Sequence, residues 1–498
     1  MNFLSFGKEF TLPRLFLWPW LPRGEAPAGS GGMNRYERQM NMENFESLLV
    51  LINSWIWGKW LVFVLLGLGV LYTFTNGFVQ VRHFGYIMKK TLIDSFKERN
   101  TDKGSGSVSS FKAMMVTLAG NVGGGNVGGG NVVGVATAIV AGGLGAIFWM
   151  WFAAFFGMAL KYGEIVLSQM YRGRDDDGNL LSGPMYYIRD GLHMPWLGVV
   201  IAVLMTIKMM GANLVQSNTI SGILASNYNV PTWLTGAILI GLLMTITLGG
   251  LKRVANLATT LVPVMSVFYV VVGLLVIILN IQQVPAVFAT IFREAFSLDA
   301  AVGGTGGYVM ARALQNGITR GMYSNEAGEG TAPFAHGSTI VSHPVEEGIT
   351  GVTEVFLDTI VICTISALVV GVTGIYQTDT SATVMAIESF GTVWAPLRHA
   401  GAFALLIFCF TTLMGQWFNA AKSFTYAFGP KVTSVCRYIF PFLCIVGATT
   451  KIDLVWTMQD LAMGLVVIPN MVALLILWPQ VREQTKDYFT KVKNGEIK

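Results

Sequence analysis

The stretch richest in candidate chemistry is a glycine–asparagine string, GNVGGGNVGGGNVVG, from Gly120 to Gly134. It repeats in five-residue units inside an otherwise apolar segment. Each glycine costs a helix about 1 kcal/mol against alanine, so the string should unwind. Unwound backbone at membrane depth is tolerated only where it lines a protein-buried site or a cavity. Asn121, Asn126 and Asn131 place amides in the same stretch. Close packing through small residues is the rival reading, but asparagine at every fifth position suits a packing face poorly. The string also contains GxGxxG at Gly123, Gly125 and Gly128. No strand precedes it and no GK[ST] comes after it, which argues against a nucleotide loop.

A second segment of this kind is SNEAGEGTAP, from Ser324 to Pro333. A carboxylate at the centre of a membrane span costs at least about 2.5 kcal/mol. Ser324, Asn325 and Glu326 must therefore be buried in protein, lie at a cytoplasmic mouth, or both. Polar residues recur in other apolar stretches. GANLVQSNT carries Asn213 and Gln216, three apart and on one helix face. CFTTLMGQWFNAAKSF carries Thr411, Thr412, Gln416 and Trp417. Threonine and carbonyl oxygens are hard ligands suited to sodium, with Gly128 of the first string as a backbone contributor; the alternative is hydroxyls bonded within their own helix. Trp417 either closes a pocket or anchors at an interface. Glu354 and Asp358 share a face at i, i+4 and need a partner, for which Arg320 is the candidate. Glu164, three residues from Lys161, reads as a local pair. These charges are structural or gating pairs, or else ion or proton sites.

The elements that position these residues can be read from composition. In 498 residues, 53% are hydrophobic and 12% charged, against about 25% charged in soluble domains. Mean hydropathy is +0.56. A soluble enzyme, a disordered chain and a porin-type barrel are all disfavoured. Cys363, Cys409, Cys436 and Cys444 sit in apolar stretches, and no Cys/His spacing suggests a metal. Apolar runs of membrane length predict an all-α membrane protein with eleven spans, near 46–75, 110–138, 143–171, 195–226, 231–249, 255–281, 303–340, 346–374, 398–428, 432–449 and 453–479. Lys and Arg crowd the loop from Arg82 to Lys112, the segment 172–193, Lys252 and Arg253, Lys422 to Arg437, and the tail. The positive-inside rule then puts the N-terminus outside and the C-terminus in the cytoplasm. The N-terminal basic residues Lys8, Arg14, Arg23, Arg35 and Arg38 disagree with that sign. Met33 is a second candidate start, with 1–32 as an upstream extension.

With the opening helix set aside, the two polar strings fall in the first and sixth of ten remaining spans. Interrupted helices at matching places in two halves point to an inverted-repeat transporter with its site at the interruptions. Half-helix N-termini suit a carboxylate, and half-helix carbonyls suit an ammonium group or sodium. A zwitterionic amino acid uses both.

The residues NVVGVATAIVAGGLGAIFWMWFAAFFGMALKYGE (131–164), GITRGMYSNEAGEGTAPFAH (317–336), FLDTIVICTISALV (356–369) and GANLVQSNT together resemble the alanine/glycine:cation symporter family. The resemblance covers about 45–480. It implies a LeuT-type 5+5 inverted repeat preceded by one extra helix, and sodium-coupled uptake of a small neutral amino acid into the cell. By motif match the family's ligands fall on Asn126, Gly130 and Asn131, on Gln216 with Asn213 nearby, and on Thr412 and Gln416. Gln416 stands where the family often has tryptophan, and Trp417, about 100° further round the helix, cannot fill that place. An amide there would favour a more polar substrate such as serine or glutamine, or would shrink an apolar wall. The string also has an extra GNVGG unit. Five inserted helical residues would displace the downstream helix by about 7.5 Å and 140°, so the unwound stretch must absorb them.

The expected organisation is an N-terminal extension over 1–44, a transporter domain over 45–480 and a basic cytoplasmic tail over 481–498. Within the domain, 45–75 is the extra helix, 110–281 the first repeat and 303–479 the second. The protein is expected in the cell membrane, working as a monomer on an amino acid and Na+, with no organic cofactor and no nucleic acid. The rivals are a channel, a membrane enzyme, and a proton-coupled carrier using Glu354, Asp358 or Glu326.

Overall fold

The computed structural model describes residues 48–49, 51–56, 59–99, 107–122, 130–174, 178, 180–296, 306–378, 380–450 and 453–497. The N-terminal extension lies outside the described residues. So does the interior of the first glycine string, residues 123–129, with Asn126 and Gly128.

The described chain from Leu48 onward is one compact unit, built from α1 (Lys59–Thr75), α2 (Ser110–Val122), α3 (Gly130–Gly142), α4 (Gly145–Met170), α5 (Pro195–Tyr228), α6 (Thr232–Leu248), α7 (Gly250–Leu279), α8 (Val284–Ala295), α9 (Gly306–Asn325), α10 (Ala332–His336), α11 (Pro344–Thr373), α12 (Ala382–Gly391), α13 (Ala395–Phe428), α14 (Pro430–Thr449) and α15 (Asp453–Lys493). A two-residue antiparallel hairpin pairs β1 (Gly173–Arg174) with β2 (Leu180–Leu181). Among the described residues, eight helices are long and apolar enough to cross a membrane, and α3 and α6 are shorter apolar helices. The expected seventh span is divided into α9 and α10. The basic tail expected from 481 is helical as far as Lys493. No glycine or proline interrupts it there, and Lys491 and Lys493 suit the negative end of the helix dipole.

Inner and outer helices differ in what they bury. On α7, Val264, Val267, Val271 and Ile278 are exposed, while Val254, Ala258, Val262, Met265, Tyr269 and Val276 are buried. That is a helical stripe facing lipid opposite one facing protein. On α4, the last half is buried all round, including Lys161 and Glu164. Small residues let backbones meet there: Gly351 of α11 lies against the Lys161 and Tyr162 backbone. Elsewhere, a Cβ added at Gly415 of α13 would sit 2.9 Å from the Gly120 nitrogen on α2.

Candidate functional site

The second polar segment is unwound. α9 ends at Asn325, and residues 326–330 form a turn before α10 begins at Ala332. Glu326, Gly328 and Gly330 have φ of 53°, 87° and 76°. The turn's glycines take the left-handed region freely, but Glu326 does so at a steric cost. The interrupted helix leaves carbonyls at its first end and N–H groups at its second. Side chains of α4 and α15 take several of them. Lys161 Nζ donates to Asn325 O at 2.8 Å. Glu164 accepts from Gly328 N at 3.2 Å and Gly330 N at 2.9 Å. Asn470 of α15 donates to Glu164 Oε1 at 2.6 Å and to Gly328 O at 2.8 Å. Cation and carboxylate thus sit at the helix ends whose partial charges they oppose.

This corrects two sequence-based expectations. Lys161 and Glu164 do not form a local pair, because the free backbone of the turn attracts each separately. Arg320 is not the partner of Glu354 or Asp358; its guanidinium lies 5.7 Å from the Tyr323 ring centroid. Lys161, which projects from α4, is 3.3 Å from Glu354 Oε2. His336, on α10, holds Glu347 at 2.7 Å and Glu354 at 2.6 Å through its two ring nitrogens. All four side chains are buried.

Asp358 is held by neutral groups. α3 opens with a π-helical turn, Gly130–Gly134, and α11 contains another, Phe356–Cys363. Widened turns expose backbone groups that a regular helix consumes. Asn131 Nδ2 donates to Asp358 O at 2.9 Å and to Oδ1 at 2.8 Å. Ser324 donates to Asp358 Oδ2 at 2.8 Å, and Thr359 does so at 3.0 Å. Asn325 joins through Thr359 at 3.2 Å. The structure therefore brings Asn131, Ser324, Asn325 and Asp358 together, with Gly130 buried beside them.

The residues expected on α5 and α13 divide into two groups. Thr412 donates to Ala119 O on α2 at 3.1 Å and to Phe408 O at 3.0 Å. Its hydroxyl thus reaches the flank of the first glycine string. Thr411, one residue and about 100° away, donates to Phe408 O at 2.9 Å and to Met265 Sδ at 3.3 Å, toward α7. Gln216 and Gln416 line one small cavity with Lys208, Glu326 and Gln459. Gln416 Oε1 is buried there and has no hydrogen-bond partner among the described residues. Asn213 instead stitches α5 to α14, donating to Phe440 O at 3.1 Å and accepting from Ser217 and Cys444.

Trp417 faces a different space. Its ring packs on Phe440 at 5.2 Å between centroids. Its Nε1 has no partner among the described residues. It lines a vestibule of about 500 Å³ whose other walls include Lys252, Lys422, Arg437, Ser182 and Ser338. Among the described residues, no Asp or Glu lines it.

Lys208, Glu329, His336, Glu347 and Asn470 complete these networks; Glu329 falls inside SNEAGEGTAP and His336 closes GITRGMYSNEAGEGTAPFAH, while no motif points to Lys208, Glu347 or Asn470. Lys208 does have a legible signal, a lone lysine in an apolar span. Its Nζ is 2.7 Å from Glu329 Oε2, and both side chains are buried.

The model of the sodium:alanine symporter family matches residues 42–498. A Haemophilus influenzae protein named as an uncharacterized transporter is 38% identical over 461 residues, which is 90% of this chain and 97% of its own. The sodium/alanine symporter AgcS of Methanococcus maripaludis is 36% identical over 466 residues, covering 91% of this chain and 99% of its own. The probable sodium/glutamine symporter GlnT of Bacillus subtilis is 36% identical over 459 residues, covering 91% and 92%. The chain belongs to the sodium:alanine symporter family, and it is a multi-pass membrane transport protein rather than an enzyme.

Proposed function

We propose that this transporter imports a small neutral amino acid of alanine or glycine size together with sodium. The observation that carries the reading is the meeting of Thr412 Oγ1 with Ala119 O, 3.1 Å apart, at the edge of the first glycine string. Two hard oxygens at that spacing can share one sodium ion, and the string that begins at Gly120, next to Ala119, carries Gly128 as a further backbone oxygen. Substrate carboxylate meets N–H groups and asparagine amides of the string, with Asn126, Gly130 and Asn131 as the candidates. Its ammonium group meets backbone carbonyls there. Gln216 and Gln416 face the substrate side chain. Sodium and substrate together favour closure, which couples their movement.

In this reading the fold is a LeuT-type 5+5 repeat with eleven crossings, its extra helix first, in the cell membrane. The N-terminus is outside and the C-terminus cytoplasmic. The vestibule beneath Trp417 is then the cytoplasmic exit, since Lys252, Lys422 and Arg437 lie on the basic side.

The test is uptake by the full chain in proteoliposomes, with labelled alanine, glycine, serine and glutamine offered singly. Saturable accumulation that needs an inward sodium gradient is the expected result. Accumulation driven by a pH step without sodium would move the coupling to a proton and overturn the reading of Thr412. Flux that neither saturates nor concentrates its solute would indicate a channel.

A further inference from the structure

The vestibule beneath Trp417 is rich in donors. Lys252, Lys422 and Arg437 stand on its walls, and among the described residues no Asp or Glu does. Lys422 is tied back, donating to Leu180 O at 3.1 Å and to Ser182 Oγ at 3.0 Å. Lys252 and the half-buried Arg437 guanidinium have no hydrogen-bond or ion-pair partner among the described residues. Two helices also start at this cavity. α7 begins at Gly250 and α14 at Pro430, and neither start has a side-chain cap or an acidic residue in its first turn. Their partial positive ends add to the cations. Trp417 supplies one more donor: the side chain is 2% exposed, and its Nε1 is unmatched among the described residues. A buried N–H left that way is costly. Each of these features calls for an anion that carries acceptor oxygens.

The surroundings indicate which anion. A volume of about 500 Å³ is far more than one inorganic ion fills. Ser434, Tyr438 and Phe442 follow one i, i+4 ridge of α14. Ser434 lines the cavity, whereas Tyr438 and Phe442 are 53% and 55% exposed on the lipid side. Leu248, at the end of α6, is likewise exposed next to Thr247 of the cavity wall. The basic cavity thus runs into an apolar outer face, and one molecule can set its charge in the first and its chains along the second. Basic pockets between membrane helices suit such a molecule.

We propose that the vestibule is a binding site for the headgroup of one anionic phospholipid. Its phosphate meets Lys252, Arg437 and the two helix starts, and a headgroup oxygen accepts from Trp417 Nε1. The site is separate from both polar strings. It requires that the chain be embedded in a bilayer and is independent of the solute carried.

The test is a lipid titration of the full chain in detergent, with intact complexes weighed by mass spectrometry. A first equivalent of phosphatidylglycerol should bind at least about tenfold more tightly than phosphatidylcholine. Lys252→Gln combined with Arg437→Gln should weaken that binding by about tenfold or more. Arg253→Gln combined with Lys431→Gln removes the same charge from neighbouring exposed positions that do not line the cavity, and should change it by less than about twofold. Trp417→Phe keeps a ring against Phe440 and should weaken binding by about threefold or more. Equal losses in the two double variants would overturn the proposal, because the attraction would then be diffuse. So would equal binding of the two lipids, or full displacement of phosphatidylglycerol by millimolar inorganic phosphate, which would make this a site for a free anion. If the Lys252 and Arg437 variant does not fold, the wild-type lipid preference and Trp417→Phe decide, and unchanged affinity in Trp417→Phe would overturn the proposal. Since the readout is binding, failure of sodium-driven uptake would refute the symport reading and leave this site standing.

Discussion

The two polar strings look alike in sequence and differ in what their surroundings supply. At the second, side chains of neighbouring helices take the backbone groups of the turn: Lys161 takes Asn325 O, and Glu164 takes the N–H groups of Gly328 and Gly330. At the flank of the first, among the described residues, Ala119 O accepts from a neutral hydroxyl, that of Thr412. One string is held by charges from α4; the described flanks of the other border α13 through glycine and threonine and α11 through Asn131 and Asp358. An interrupted helix is thus not in itself a ligand site. What decides is whether the protein's own side chains already satisfy its ends.

The largest expected effect breaks the held side. Glu164→Leu strands two N–H groups and the Asn470 amide in a buried setting, a loss of about 3–5 kcal/mol. Thermal unfolding in detergent should show a collapse of stability, with Glu164→Gln intermediate because it retains one acceptor oxygen. An unchanged melting temperature in Glu164→Leu would mean that the turn does not depend on α4. Next is the open side. Gly415→Leu drives a side chain into the backbone of Gly120. It should abolish uptake while costing about 1–3 kcal/mol of stability. Normal uptake would show that close approach of α13 to the first string is dispensable.

Thr412→Val removes one oxygen and keeps the shape. It should raise the sodium concentration for half-maximal uptake about tenfold, equivalent to about 1.4 kcal/mol. Thr411→Val should change it by less than about twofold, because its hydroxyl points to Met265. Equal effects would remove the distinction between the two threonines. The smallest effect belongs to the vestibule. Lys252→Gln combined with Arg437→Gln should alter the uptake rate by less than about threefold at physiological salt, where exposed charges are screened, and the change should grow in low-salt internal buffer.

The sequence reveals where the backbone departs from a helix because glycine, asparagine and carboxylate composition inside apolar runs is a local property. The turn after Asn325 is where SNEAGEGTAP predicts an interruption. The sequence does not reveal who satisfies whom. Spacing of three suggests that Lys161 pairs with Glu164, but Lys161 meets Asn325, 164 residues away. Arg320 is the nearest available cation for Glu354 along the chain, whereas α4 brings Lys161 to it. Periodicity places Thr411 and Thr412 next to each other, and only the packing of α13 between α2 and α7 shows that their hydroxyls diverge. Lys208 is visible as a charge in an apolar helix, but its partner Glu329 lies 121 residues on.

The three side chains that hold the second turn have a mechanical consequence. Lys161 and Glu164 lie one helical turn apart on a single rod and grip both sides of the same gap, so α4, α9 and α10 must travel as one body. Any rocking that opens one face and seals the other has to shear somewhere else, and the hydroxyl-and-glycine seam between α2 and α13, where no ion pair joins the described residues, is the candidate joint. Paired cysteines tying α4 to α9 should leave turnover intact, whereas a tie across that seam should arrest the cycle.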